Sequence, residues 1–174
     1  AIKKHMSVDS AEKHKAIVTI RLNGTSDISY EKFKIFDGKN IFELFPDIQF
    51  YDYTKNWTRF NQPLPSNYNL TFSRSETNHD KCIELLNKGV NVAMVFDKLP
   101  ETYEGYTVIN ADKDDLRFLD PKGVVCGLKY KKMTGKGGAE KNADAIKNGF
   151  VVITQTASEK LTKVYKKVKA KAKV

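Results

Sequence analysis

Asn23, Asp27, Asp52 and Lys55 have the types and placement to run a reaction, and Arg74 and Lys129 can join them. Each follows or closes a short apolar run. Asn23, Thr25, Ser26 and Asp27 come after the run 16–22, and Asp52, Tyr53 and Lys55 close the run 48–53. Ser73, Arg74 and Glu76 come after 68–72, and Lys129 and Lys131 after 124–128. In parallel α/β folds ligands gather at the C-terminal ends of the strands. If these runs are neighbouring parallel strands, their trailing residues converge on one rim that mixes carboxylates, an amide and cations. That is the catalytic rim expected of an enzyme. A plainer reading stands beside it: loops are polar everywhere, Asn-Gly and Ser-Asp are turn residues, and Asp27 can cap a following helix.

A second set of residues suits phosphate. The stretch 129–138, KYKKMTGKGG, puts Lys129, Lys131, Lys132 and Lys136 in a glycine-rich loop before a helix, where backbone N–H groups and charge can meet an anion. It lacks the Gly-Lys-Ser/Thr of a Walker A loop, and a flexible surface loop is the plainer reading. With Arg74 and the tail lysines Lys166 and Lys167, these form the expected binding set. The chain carries a formal +9. From residue 157 onward seven lysines face one acid, Glu159, a surplus of +6 that leaves only +3 for the rest. A polybasic tail attracts phosphates or anionic lipid heads by a salt-sensitive, sequence-blind force, unless it is simply a solvated tail. Between Tyr51 and Phe60 aromatics interleave with Lys55 and Arg59: exposed rings there would stack on bases while the cations take phosphates, and buried rings would be core.

Other chemistry is poorly supplied. His79 and Cys82 have H-x-x-C spacing with no partner pair, and His5 and His14 are isolated, so no metal is assigned. No Gly-x-Ser-x-Gly occurs, and no histidine is placed to serve Cys126. No cofactor can be named. Cys82 and Cys126 sit in apolar company, which points to a reducing compartment and a cytoplasmic protein. No apolar run approaches the ~20 residues of a membrane helix, so no membrane partner is expected.

The elements that must position these residues are short. With 174 residues, 40% hydrophobic and 29% charged, the chain can bury a core, and disordered, collagen-like and membrane classes are excluded. The runs 16–22, 48–53, 68–72, 91–96, 106–109, 124–128 and 150–153 are β-branched and aromatic, and read as strands. Several are apolar at successive positions, which suits parallel strands covered on both faces. Helices are expected at 10–15, 41–45, 78–88 and 139–148, with glycines closing the last two, and in the tail, where Leu161, Val164, Tyr165 and Val168 share a stripe. The fold class is α/β: a partial β/α barrel or an open, mostly parallel sheet with flanking helices and a lysine-rich C-terminal helix. Some later gaps are too short for crossover helices and imply hairpins. Residues 1–155 are expected to form one α/β domain and 156–174 a basic amphipathic tail.

Four strings together carry a likeness: RLNGTSDI at 21–28, NIFELFPDIQFYDYTK at 40–55, NYNLTFSRSE at 67–76 and DLRFLDPKGVVCGLK at 115–129. In this order they resemble the uncharacterised phage- and plasmid-encoded family labelled phage gene product eighty-eight. The resemblance implies an upstream half with a cysteine-rich segment, loosely similar to the cluster-binding region of radical-SAM barrels, and makes this chain the later part of a larger barrel. It brings no established activity. The leading expectation is a phage- or plasmid-encoded accessory protein that binds nucleic acid or another phosphate-bearing polyanion in the host cytoplasm. The alternative is the C-terminal part of a cofactor-dependent, radical-SAM-like barrel enzyme. A third is an interaction module whose open sheet edge takes a second copy or a missing N-terminal half.

Overall fold

The computed structural model describes residues 17–154. The helices expected over 10–15 and 156–174, with Lys166 and Lys167, lie outside them. The described chain divides into two compact units, one running to Phe72 and including Leu116–Asp120, the other taking Ser73–Asp115 and the chain from Pro121 on.

The first unit contains β1 (Thr19–Ile20), β2 (Gln49–Thr54) and β3 (Tyr68–Ser73), with the short helix α1 (Ile41–Leu44). Both strand pairs are parallel, with Thr19 opposite Gln49 and Phe50 opposite Tyr68. Side chains alternate along a strand, and β2 shows it: Phe50, Asp52 and Thr54 are buried while Tyr51 and Tyr53 are half-buried. The core is Phe42, Phe50, Tyr68 and Leu70. The Phe42 ring stacks on Tyr68 with centroids 4.3 Å apart and meets Phe50 edge-on at 5.0 Å. Helix α1 is only one turn long, too short to stand alone. A capping box holds it: Asn40 accepts from the N–H groups of Phe42 and Glu43, and Glu43 accepts from the Asn40 N–H at 2.7 Å.

The second unit contains α2 (His79–Asn87), β4 (Val92–Phe96), β5 (Thr102–Tyr103), β6 (Tyr106–Asn110), β7 (Val125–Lys129), α3 (Gly138–Lys147) and β8 (Val151–Val152). Here β4 lies between β7 and β8, and β6 follows β7, all in parallel. β4 is buried at four of its five positions, as continuous apolar parallel strands are. Helix α2 buries Cys82, Leu85 and Leu86 as the sequence periodicity implies. It ends in a Schellman motif: the Gly89 N–H donates to the Leu86 carbonyl and the Val90 N–H to Leu85, with Gly89 at φ 80°.

Eight strands, mostly parallel, with a few helices fit the expected α/β class. Two differences are local. The first strand spans two residues among those described, and past its end the Asn23 N–H turns to the Asp52 side chain on β2. Strand β5, absent from the sequence reading, pairs antiparallel with β6 across a Glu104-Gly105 turn in which both residues have positive φ. It is the kind of hairpin that the short gaps implied.

Gly127 on β7 marks a close approach: a Cβ there would sit 2.7 Å from Val108 Cγ1, 2.8 Å from Leu99 Cδ2 and 3.2 Å from the Ile109 carbonyl. Gly127→Ala is expected to cost about 1–3 kcal/mol, read as a lower urea midpoint. An unchanged midpoint would show that this wall yields freely.

Candidate functional site

Alternation and register put Asp52 on the core face of β2, fully buried. A buried carboxylate needs donors, and Asp52 has three. The Asn23 N–H reaches Oδ1 at 2.8 Å, while Asn23 Nδ2 (3.1 Å) and the Tyr68 hydroxyl (3.0 Å) reach Oδ2. Asn23 spends the rest of its amide on its own loop: Oδ1 accepts from the Ser26 hydroxyl and the Ile28 N–H, and Nδ2 also donates to the Ile28 carbonyl. Burial pushes the Asp52 carboxyl above its usual range, against the pull of Asn23, Tyr68 and Arg59. Burial also drives the Tyr68 phenol upward, helped by the Asp52 charge.

The network continues through Arg59, whose side chain is wholly buried. Its Nε and Nη2 grip Glu31 in a two-pronged pair at 2.9 and 2.7 Å, Nη2 also donates to the Tyr68 hydroxyl, and Nη1 reaches Asp27 Oδ1 at 3.1 Å. Burial opposes the guanidinium charge, but Glu31 and Tyr68 outweigh it and raise the Arg59 pKa. Asp27 also accepts from the Thr54 hydroxyl at 2.6 Å and the Lys55 N–H at 2.8 Å. A 3-10 turn at Trp57–Asn61, capped by Asn56 on the Thr58 N–H, carries Arg59 inward.

The structure thus brings Asn23, Asp27, Asp52 and the Lys55 backbone together, as the rim expectation asked, but in a closed network. Three or more donors engage each of Asp52 and Asp27, and Asp52 has no exposed surface. Arg59 cannot take a phosphate as the 51–60 pattern suggested, because its guanidinium is buried on Glu31, Asp27 and Tyr68. Glu31, Thr54 and Tyr68 went unnoticed in the sequence. The signal was Arg59 itself: a charge among Trp57, Phe60 and the following apolar residues needs a buried counter-charge.

Beside the Glu31–Arg59 pair the first unit has a cavity of about 610 Å³, walled by Phe42, Pro63, Pro65 and Asn67 among others. Asn67 Nδ2 ties this wall together by donating to the carbonyls of Phe42, Phe45 and Ile48. The volume lies in the range of small-molecule sites. Among the described residues no three His, Cys, Asp or Glu side chains converge as metal ligands, and Cys82 and Cys126 are buried and form no disulfide. Burial raises the Cys82 thiol to about 11, so it is protonated at neutral pH.

The phosphate candidates lie in the second unit. Arg74 is half-buried, with Nη1 donating to the carbonyls of Gly149 at 2.7 Å and Phe150 at 3.3 Å before β8. Lys129, Lys131, Lys132 and Lys136 are all exposed. Their loop is pinned at several points. Asn142 on α3 accepts from the Met133 N–H and the Tyr130 hydroxyl and donates to the Met133 carbonyl, all within 2.9 Å. The Tyr130 N–H reaches the Phe96 carbonyl, and Asp112 accepts from the Lys129 N–H at 2.7 Å. Gly138 lies so close to the Met133 carbonyl that a Cβ would come within 2.7 Å of it.

A family model described as Gene product 88 matches residues 4–152. The chain belongs to the Gene product 88 family. This is the phage gene-product family that the four strings resemble. The buried network and the 129–136 loop both fall within the family's span, and Lys166 and Lys167 fall beyond it. No curated protein and no solved structure matches the chain. No helix among the described residues is long and apolar enough to cross a membrane.

Two outcomes test the network. Arg59→Leu leaves the largely buried Glu31 carboxylate and the Tyr68 hydroxyl without their donor and is expected to cost about 3 kcal/mol in urea unfolding; a loss below about 0.5 kcal/mol, the scale of a surface pair, would refute its structural role. The second concerns pH. A carboxyl whose pKa folding raises costs stability once ionised and nothing below its unfolded value, so the Asp52 contribution weakens the fold as pH rises through that interval. Asp52→Asn cannot titrate, and its amide N–H₂ faces donors, so it is less stable than the wild type. The difference in unfolding free energy should narrow from acid to neutral pH; a widening gap would mean that Asp52 is stabilised as the anion.

Proposed function

We propose that this chain is a phage- or plasmid-encoded accessory protein that binds nucleic acid through the phosphate backbone, using the basic loop after β7. The observation that carries the reading is the contrast within that loop: Lys129, Lys131, Lys132 and Lys136 are exposed, while Asn142, Tyr130, Gly138 and Asp112 pin the backbone that bears them. Cations held on a fixed loop lose less freedom on meeting a phosphate row than cations on a loose one. Lys131 spends little charge internally, with Asp112 at 3.6 Å and its own side chain 87% exposed. The tail lysines Lys166 and Lys167 would add sequence-blind attraction. Arg74 is a weaker contributor, since one prong is already committed to carbonyls.

The enzyme alternative would need the rim of Asn23, Asp27 and Asp52 to be available, but Asp52 is buried on Asn23 and Tyr68, and Asp27 is engaged by Thr54, Arg59 and the Lys55 N–H.

Fluorescence polarisation with a single-stranded oligonucleotide tests the reading on the full chain. Binding should weaken steeply with salt. Reversing Lys131, Lys132 and Lys136 together to Glu should lower the slope of log affinity against log salt by about 2. An unchanged slope would place the binding elsewhere, and absence of binding at low salt would end the proposal.

A further inference from the structure

In the first unit the chain between Lys32 and Asn40 forms a tight hairpin. Phe36 bridges to Lys39, the Lys39 N–H donates to the Phe36 carbonyl at 2.9 Å, and the Ile35 N–H donates to the Lys39 carbonyl at 2.7 Å. The two turn residues, Asp37 and Gly38, have φ of 46° and 67°. Positive φ at both positions marks a type I′ turn, which Asp-Gly adopts readily. A Lys34–Glu43 ion pair at 3.0 Å ties the hairpin to α1. The backbone is therefore well determined, yet the side chains it holds out are apolar. Phe36 is 71% exposed, and Phe33 and Ile35 are 55% exposed each.

Three such side chains on one short hairpin call for an occupant. With about 200 Å² for each, they leave roughly 350 Å² open to water. A stable protein interface takes about 800 Å² from each partner, so the tip by itself is too small to hold a second copy. A soft interface makes no such demand, because apolar side chains need only enter it from one side. Charge selects which interface. Lys32, Lys34 and Lys39 alternate with the apolar residues along the hairpin, Asp37 is the one acid at the turn, and the chain as a whole carries +9. Lysine stems lie along apolar surface while their ammonium groups stay among headgroups.

We propose that the Phe33–Ile35–Phe36 tip inserts into the headgroup region of an anionic lipid bilayer and holds the protein at its surface. A three-residue tip has no run length, so it leaves no apolar span in the sequence. The apolar side chains supply the depth and the lysines the preference for negative lipid. The inference is independent of nucleic-acid binding, which uses the other unit.

Co-sedimentation of the full chain with vesicles of phosphatidylcholine, with or without one part in three of phosphatidylglycerol, tests it. Binding is expected only with phosphatidylglycerol, and Phe36→Asp should weaken it by about tenfold. Phe36→Ser removes the ring without adding negative charge and should also weaken it. Both variants should bind the oligonucleotide as the wild type does. Vesicle binding that survives Phe36→Ser would show that lysines alone carry it and would overturn the proposal. So would a wild type that ignores anionic vesicles, or one that self-associates in light scattering until Phe36 is replaced, which would make a second copy the occupant.

Discussion

A carboxylate buried on the core face of a parallel strand must be given donors, and much of the first unit is arranged to give them to Asp52. The 23–28 loop turns back so that Asn23 can present both its backbone and its side-chain N–H to the two carboxylate oxygens. Tyr68, paired two residues away along β3, brings its hydroxyl to the same oxygen while its ring stacks on Phe42 in the core. That hydroxyl needs a donor in turn, and Arg59 supplies it. The guanidinium then requires acids, and Glu31 and Asp27 close the chain. A fully satisfied polar network of this kind specifies one arrangement, because losing any member leaves another buried and unpaired.

The same logic separates charge that builds the fold from charge that can meet a ligand. Asn23, Asp27, Asp52 and Arg59 have residue types that suggest chemistry, yet they bind one another. In the second unit the 129–136 loop is held by an amide, a phenol, backbone carbonyls, a tight glycine and the Asp112 carboxylate, and the lysine side chains are left facing water. Cations left exposed on a pinned loop are what a phosphate contact needs; a cation buried on its acids is what a core needs.

Much of this was legible in the sequence. Seven apolar runs became strands, and the three helices expected at 41–45, 78–88 and 139–148 are present, the last two with their closing glycines, because periodicity and Gly punctuation act locally. The hairpin strand Thr102–Tyr103 was missed since two residues carry no period. Proximity of Asn23, Asp27 and Asp52 also followed from strand order. The burial of Asn23 and Asp52 did not, for burial depends on which face of β2 meets Phe42 and Tyr68, and a strand followed by a polar loop looks alike in either case. The 51–60 stretch stays open in the sequence for the same reason: interleaved aromatics and cations describe a stacking surface and a charged core equally well until the partners Glu31 and Asp27, some thirty residues upstream, are in place.

The most direct test of this division is an amide proton–nitrogen correlation spectrum of the full chain titrated with oligonucleotide at low salt. The account predicts shifts for residues of the 129–136 loop and for Asn142, with the network amides of Asn23, Ile28 and Lys55 unmoved. Shifts centred on Asn23, Ile28 and Lys55, with the loop silent, would contradict it and return the site to the end of β2.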